Sequence, residues 1–212
     1  MIISVIIPVF NQEKWIFRCI RSLINQHYDK NLYEIIVIND GSNDRTSFAL
    51  SSFKEEIIVI NNRNKTGLPS ALNQGIKKAN AKYIVRVDGD DYVNEYYLFL
   101  LSEFLEKNRY MDAVACDYLI VNDKEEVIQR KNCIKHPIGC GIMFQTSHLF
   151  DIGLYNEDFK LCEEEELRNR FQEKFTISRL ELPLYRYRMH ENNMTKDYKM
   201  LEKYKKKLIE KK

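Results

Sequence analysis

The chain has 212 residues, 44% of them hydrophobic and 30% charged, with a formal net charge of +2. That length supports one large domain, or one domain with a tail, and a sizeable core. The near-neutral balance gives no pull toward nucleic acid. Five scattered cysteines without a CxxC pair suggest neither a zinc site nor a disulfide framework, and fit a reducing, cytoplasmic compartment.

The apolar start, Ile2 to Phe10, lacks a basic leader and is too short for a membrane span. Any membrane contact is therefore expected to be peripheral. Ile2 to Ile7 is a β-branched run that suits a strand buried on both faces, with Pro8 as its end. Ile16, Cys19, Ile20, Leu23 and Ile24 form the apolar stripe of a helix. A second buried strand spans Glu34 to Ile38, and Asp44 is a plausible N-cap for a short helix through Phe53. Ile57 to Ile60 reads as a third strand, followed by a helical stripe from Leu68 to Ala79 with Pro69 in its first turn. Tyr83 to Val87 is the fourth strand. Strands alternating with helices imply a parallel sheet covered on both faces.

The second half is less regular. A helix is expected from about Glu95 to Lys107, then a strand from Ala113 to Val121. Asn122-Asp123 turns that strand into a hairpin with Val127 to Arg130. Residues 131–160 show little periodicity. A charged helix spans about Cys162 to Lys174, and Leu182 to Arg188 reads as a last strand. The stretch from Asp197 to Lys212 reads as a basic helix, either a solvated terminus or an attachment to anionic lipid.

Each early strand runs into small polar residues: Asn11, Asp40-Gly41-Ser42, Asn61 to Asn64, and Asp88-Gly89-Asp90-Asp91. In an open parallel sheet, ligands sit beyond the carboxyl ends of the strands, so four such ends converge on one edge. Three carboxylates within four residues repel one another. A divalent cation, Mn²⁺ or Mg²⁺, removes that repulsion and can hold a diphosphate. The bland reading of Asp91 is a cap for a following helix.

In order and spacing, four stretches carry a resemblance: Ser4 to Asn11, Glu34 to Ser42, Ala71 to Ile76, and Tyr83 to Asp91. With them the chain resembles family 2 glycosyltransferases, from residue 2 to about 195. The resemblance implies a GT-A fold, a Rossmann-like, mostly parallel α/β sheet with helices on both faces. It divides the chain into a nucleotide-sugar-binding half (1–92), an acceptor-side half (93–195) and a basic tail (196–212). It implies inverting transfer from a nucleotide-diphosphate sugar, UDP-linked, to a glycan or lipid-linked glycan hydroxyl. Pro8, Phe10 and Asn11 would line the nucleotide pocket, Asp40 would bond the base, and Asn73 joins the donor-binding set. Asp88 would lie near ribose and metal, with Asp90 the main metal ligand and Asp91 a lesser one. Leu72 stands where many relatives carry an arginine facing the diphosphate, leaving Lys65 or Arg63 to supply that charge.

The family's Glu-Asp pair corresponds to Glu163-Glu164 when aligned on Arg170. That makes Glu164 the expected general base, with Glu163 next. The stretch Tyr185 to His190, followed by Asn193-Met194-Thr195, resembles the family's Tyr-Arg-x-His ending and makes His190 a metal candidate. A competing function is a non-catalytic donor-binding partner subunit of the same fold. The GxGxxG of a dinucleotide-dependent oxidoreductase is absent at the first turn.

Overall fold

A computed structural model describes residues 1–191, 193 and 198–210; of the expected motifs, Met194 and Thr195 and the first tail residues 196–197 lie outside the described residues. The first half alternates as the sequence pattern requires. Strands β1 (Ile3–Val9), β2 (Tyr33–Asp40), β3 (Ile58–Asn62) and β4 (Tyr83–Arg86) are joined through helices α1 (Ile16–Ile24), α2 (Thr46–Ser51) and α3 (Leu68–Lys78). The four strands pair in parallel in the order β3-β2-β1-β4. Their apolar runs are buried on both sides, in two clusters that divide alternate residues: Ile3, Val5 and Ile7 on one face, Ile6, Ile36 and Ile38 on the other.

Strand β1 runs through Pro8 to Val9 instead of stopping at it. The Ile6 carbonyl accepts from Val87 N on the β4 side, so two residues on Pro8 turns its missing N–H to the same side, where β4 has already ended opposite Ile6. No ladder hydrogen bond is lost there.

The second half adds β5 (Tyr92–Val93), α4 (Tyr97–Lys107), β6 (Ala113–Val121), β7 (Val127–Lys131), β8 (Ile142–Gln145), α5 (Thr146–Asp151), α6 (Glu163–Gln172), β9 (Ile177–Arg188) and α7 (Tyr198–Glu210). The sheet continues β4-β8-β6-β9-β5, with β7 paired to β6. Strand β8 is antiparallel to both β4 and β6 and stitches the halves together. Most paired residues belong to the parallel ladders β1–β2, β1–β4, β2–β3 and β6–β9, so the expected α/β architecture holds.

Four more elements differ from expectation. Strand β8 and helix α5 fall in the stretch that showed no periodicity. Strand β9 begins at Ile177, five residues early, because Arg179 in its charged first half pairs with buried Asp117 at 2.7 Å. Pro183 sits where the β6–β9 register shifts opposite Asp117. Helix α7 is not simply solvated: Tyr204 and Leu208 are buried with Phe159, Leu161 and Cys162, and Leu201 packs against them. Lys207 Nζ also donates to the Asp158 carbonyl at 3.0 Å. The tail helix thus covers the loop that leads into α6.

Helix α3 lies close on the sheet because of Gly75. A Cβ there would fall 2.6 Å from Ile38 Cδ1 and 2.6 Å from Ile6 Cγ2. Gly75→Ala gains about 1 kcal/mol of helix propensity but overpacks the contact, which typically costs about 1–3 kcal/mol. We expect a net loss, read as a lower urea midpoint with unchanged slope; a raised midpoint would show that α3 has room to lift.

Candidate active site

The strand-end residues open onto one cleft of about 690 Å³. Pro8, Phe10, Asn11 and Asp40 line it, as do Asp88, Asp90, Asp91, Glu163, Glu164 and His190. The loops after β1, β2 and β3 are hydrogen-bonded to one another at its rim. Asn11, in the left-handed region at φ 53°, donates its N–H to Ser42 Oγ at 3.0 Å and accepts from Asn43 N at 2.9 Å. Asp44 accepts from Thr46 N and from Glu13 N, so it ties the start of α2 to the loop after β1, while the N-cap position falls on Arg45, one residue later than expected.

Asp40, 3% exposed, accepts from Asn62 Nδ2, Thr66 N, Thr66 Oγ1 and Gly67 N at 2.7–2.8 Å. Burial alone would raise its pKa, but those donors outweigh it and hold the carboxyl below the usual range. Oδ1 takes three of the four bonds, leaving acceptor capacity on Oδ2. Lys65 Nζ stands 3.7 Å over the Phe10 ring, at this end of the cleft. Arg63 does not line it among the described residues.

Asn73 is the expected donor-binding residue that the structure removes from the cleft. It is buried, donates to the Tyr155 carbonyl at 2.9 Å and Glu157 Oε1 at 3.0 Å, and accepts from Tyr155 N. Leu72 likewise faces the core, packed with Ile6, Ile36 and Ile84.

The three carboxylates of the acidic turn have different surroundings. Asp88 is gripped by Arg86, Nε to Oδ1 at 2.7 Å and Nη2 to Oδ2 at 3.1 Å, and Cys140 Sγ donates to Oδ2 at 2.9 Å. Asp90 Oδ2 lies 2.9 Å from His190 Nε2, beside the cleft. Asp91, 2% exposed, accepts from Tyr185 Oη at 2.7 Å and from Arg188 N at 2.7 Å. Burial first, then Asp90 and Asp88, push its carboxyl well above the ordinary range. It ties β9 to the turn and does not cap a helix, since β5 follows it.

Arg188, 1% exposed, supports the turn from behind. Nε donates to the Asp90 carbonyl at 2.9 Å, Nη2 to Glu125 Oε1 at 3.1 Å, and its guanidinium lies 4.2 Å over the Trp15 ring. His190 stacks on the other part of this group, its ring centroid 6.0 Å from that of Trp15.

Across the cleft, Glu163 and Glu164 open α6. Glu163 is 4% exposed, and its carboxylate accepts from Arg86 Nη1 at 3.0 Å. Burial pushes its pKa up to about 7, against the opposing pull of Arg86. Glu164 is half-buried and faces the cleft. Helix α6 places acidic residues at its N-terminus, where the helix dipole favours them. Sequence reasoning gave Arg86 no role, although a cation inside the apolar run Tyr83 to Val87 was the available signal.

Asp88, Asp91 and Cys140 also place one ligand atom each within 4.8 Å of one another. Burial, then Asp88, raise the Cys140 thiol well above its usual pKa, and the Asp91 oxygens are already bonded. Asp90 and His190 fit a hard divalent ion better. Two adjacent ligands on an octahedral ion with bonds of about 2.1 Å stand about 3 Å apart, which matches their separation of 2.9 Å.

The sequence profile described as glycosyl transferase family 2 matches residues 4–176. A Haemophilus influenzae protein described as an uncharacterized glycosyltransferase is 32% identical over 210 residues, covering 96% of this chain and 58% of that protein. The S. aureus TarS 1-349 structure in complex with UDP-GlcNAc superposes with a TM-score of 0.82 at 23% identity, covering 93% of this chain and 62% of TarS 1-349. Mannosyltransferase PcManGT from Pyrobaculum calidifontis, in complex with GDP-Man and Mn2+, gives 0.72 at 15% identity, covering 90% of this chain and 58% of that one. The chain therefore spans about three fifths of the length of these relatives. The profile match and the Haemophilus relative carry the family, and the two structures carry the fold: the chain belongs to glycosyl transferase family 2.

Proposed function

We propose that this chain binds a nucleotide-diphosphate sugar, UDP-linked, and transfers the sugar with inversion to a glycan or lipid-linked glycan hydroxyl. The observation that carries this reading is the pairing of two walls in one cleft. Phe10, Asp40, Asp88 and Asp90 stand on the strand-end wall, and Glu164 stands at the start of α6 on the other. The presence of UDP-GlcNAc in TarS and of GDP-Man in PcManGT supports a donor of this class.

Within this reading, Phe10 offers a face for the base and Asp40 Oδ2 an acceptor for a base N–H. Asp90 and His190 hold Mn²⁺ or Mg²⁺, with Asp88 alongside them. Bound there, the ion neutralises charge that develops on the departing diphosphate. Glu164 takes the proton from the acceptor hydroxyl as that oxygen attacks the anomeric carbon. The new C–O bond forms on the face opposite the leaving diphosphate, and the old anomeric C–O bond breaks, so a single displacement inverts the centre. Glu163 is a poorer base because its carboxylate is buried and already held by Arg86.

Trp15, the single tryptophan, provides a direct readout of the ion. Mn²⁺ is expected to quench its fluorescence because His190 stacks on it. Asp90→Asn and His190→Ala should each raise the Mn²⁺ concentration for half-quenching by about tenfold or more. Equal quenching in both variants would move the ion elsewhere.

Turnover tests the base. Across a panel of UDP-sugars, Glu164→Gln should lower sugar release or transfer by about 10²–10⁴-fold while UDP binds as before. If Glu163→Gln abolished turnover and Glu164→Gln left it intact, the base would be Glu163. Binding of donor by the parent chain with no turnover would instead favour a donor-binding partner subunit.

A further inference from the structure

Arg86 is the last residue of β4, 8% exposed, and its guanidinium bridges two carboxylates on opposite walls of the cleft. Its Nε–Nη2 edge takes both oxygens of Asp88, and Nη1 takes Glu163 Oε1, a residue 77 positions away in the chain. Burial opposes the positive charge, but Asp88 and Glu163 outweigh it, so the group stays cationic. Leu72 lies against the same region: it and Arg86 border one small void together with Tyr155.

The loop above the bridge is fitted to it. A Cβ at Gly139 would fall 2.8 Å from Arg86 Nη1 and 3.0 Å from Glu164 Cβ. No side chain can enter between the guanidinium and the first turn of α6. A fork-shaped, charge-assisted contact of this kind fixes direction as well as distance. Removing one partner of such a buried group leaves the other charges uncompensated. Asp88 and the start of α6 are therefore joined by one rigid cation, and Glu164 is the next residue along.

We propose that Arg86 is a positioning residue that couples donor binding at Asp88 to the placement of Glu164, acting through Glu163. The inference rests on the reading of the cleft as a nucleotide-sugar site. Donor contact with Asp88 then biases the position of α6, and by reciprocity a fixed α6 favours donor binding. A purely structural Arg86 would neutralise its acids without transmitting anything.

Hydrogen exchange on the full chain with UDP and, separately, GDP, each with Mn²⁺, tells these apart. In the parent, nucleotide should slow exchange both around residues 86–91 and in the first turn of α6, the latter by about fivefold or more. Glu163→Met leaves the Arg86–Asp88 pair whole and cuts the link at its far end. Nucleotide should still bind it and slow exchange around 86–91, while the α6 effect disappears. Glu163→Gln keeps an acceptor oxygen for Nη1 and should restore part of that effect. Arg86→Met should also lose it; if that variant does not fold, the Glu163 pair carries the test. Protection of α6 that survives in Glu163→Met, or that is absent from a nucleotide-bound parent, overturns the coupling alone. A parent that binds neither nucleotide removes the donor-site reading and the coupling with it.

Discussion

Asp88, Asp90 and Asp91 follow β4 within four residues, and each carboxylate is answered by a different partner. Arg86 from the same strand holds Asp88, His190 meets Asp90, and Tyr185 with the Arg188 backbone holds Asp91. Like charges this close at the end of a buried strand are costly unless each is paired or hydrogen-bonded. Much of the second half of the fold serves that requirement. Strand β9 must reach the turn to deliver Tyr185, Arg188 and His190, and the β6–β7 hairpin must lie beneath Arg188 to offer Glu125 and the Asn122 carbonyl.

The different partners divide the work of the turn. Asp91, buried and bonded twice, is part of the framework. Asp88 is held in a fixed orientation by a bidentate cation and a thiol. Asp90 reaches the cleft beside an imidazole at a separation suited to two ligands of one ion. The division gives anchoring to Asp91 and a fixed orientation to Asp88, and leaves Asp90 as the carboxylate proposed to meet the ion.

The parallel half was legible because apolar runs such as Ile35 to Ile38 and stripes such as Ile16, Cys19, Ile20 and Leu23 record burial directly. Strand β8 was not: four residues wedged antiparallel between β4 and β6 leave too short a run for any period to show. The start of β9 was hidden by Arg179, whose charge is satisfied by an acid 62 residues away. In the site, ordered motifs brought Phe10, Asp40, Asp88, Asp90, Glu164 and His190 to one cleft. They could not separate Asn73 from that set, because a polar residue within α3 looks the same in sequence whether it faces a ligand or the Tyr155 backbone. The role of Arg86 depends on a contact across 77 residues, which no local pattern encodes.

The central claim is that the acidic turn and the strand-end wall together hold a nucleotide diphosphate and its metal. A crystal structure of the chain with UDP and Mn²⁺ tests it most directly, with the ion placed by its anomalous signal. The account predicts manganese between Asp90 and His190 and the base between Phe10 and Asp40. Manganese at Cys140 and Asp91, or nucleotide bound outside this cleft, would contradict it.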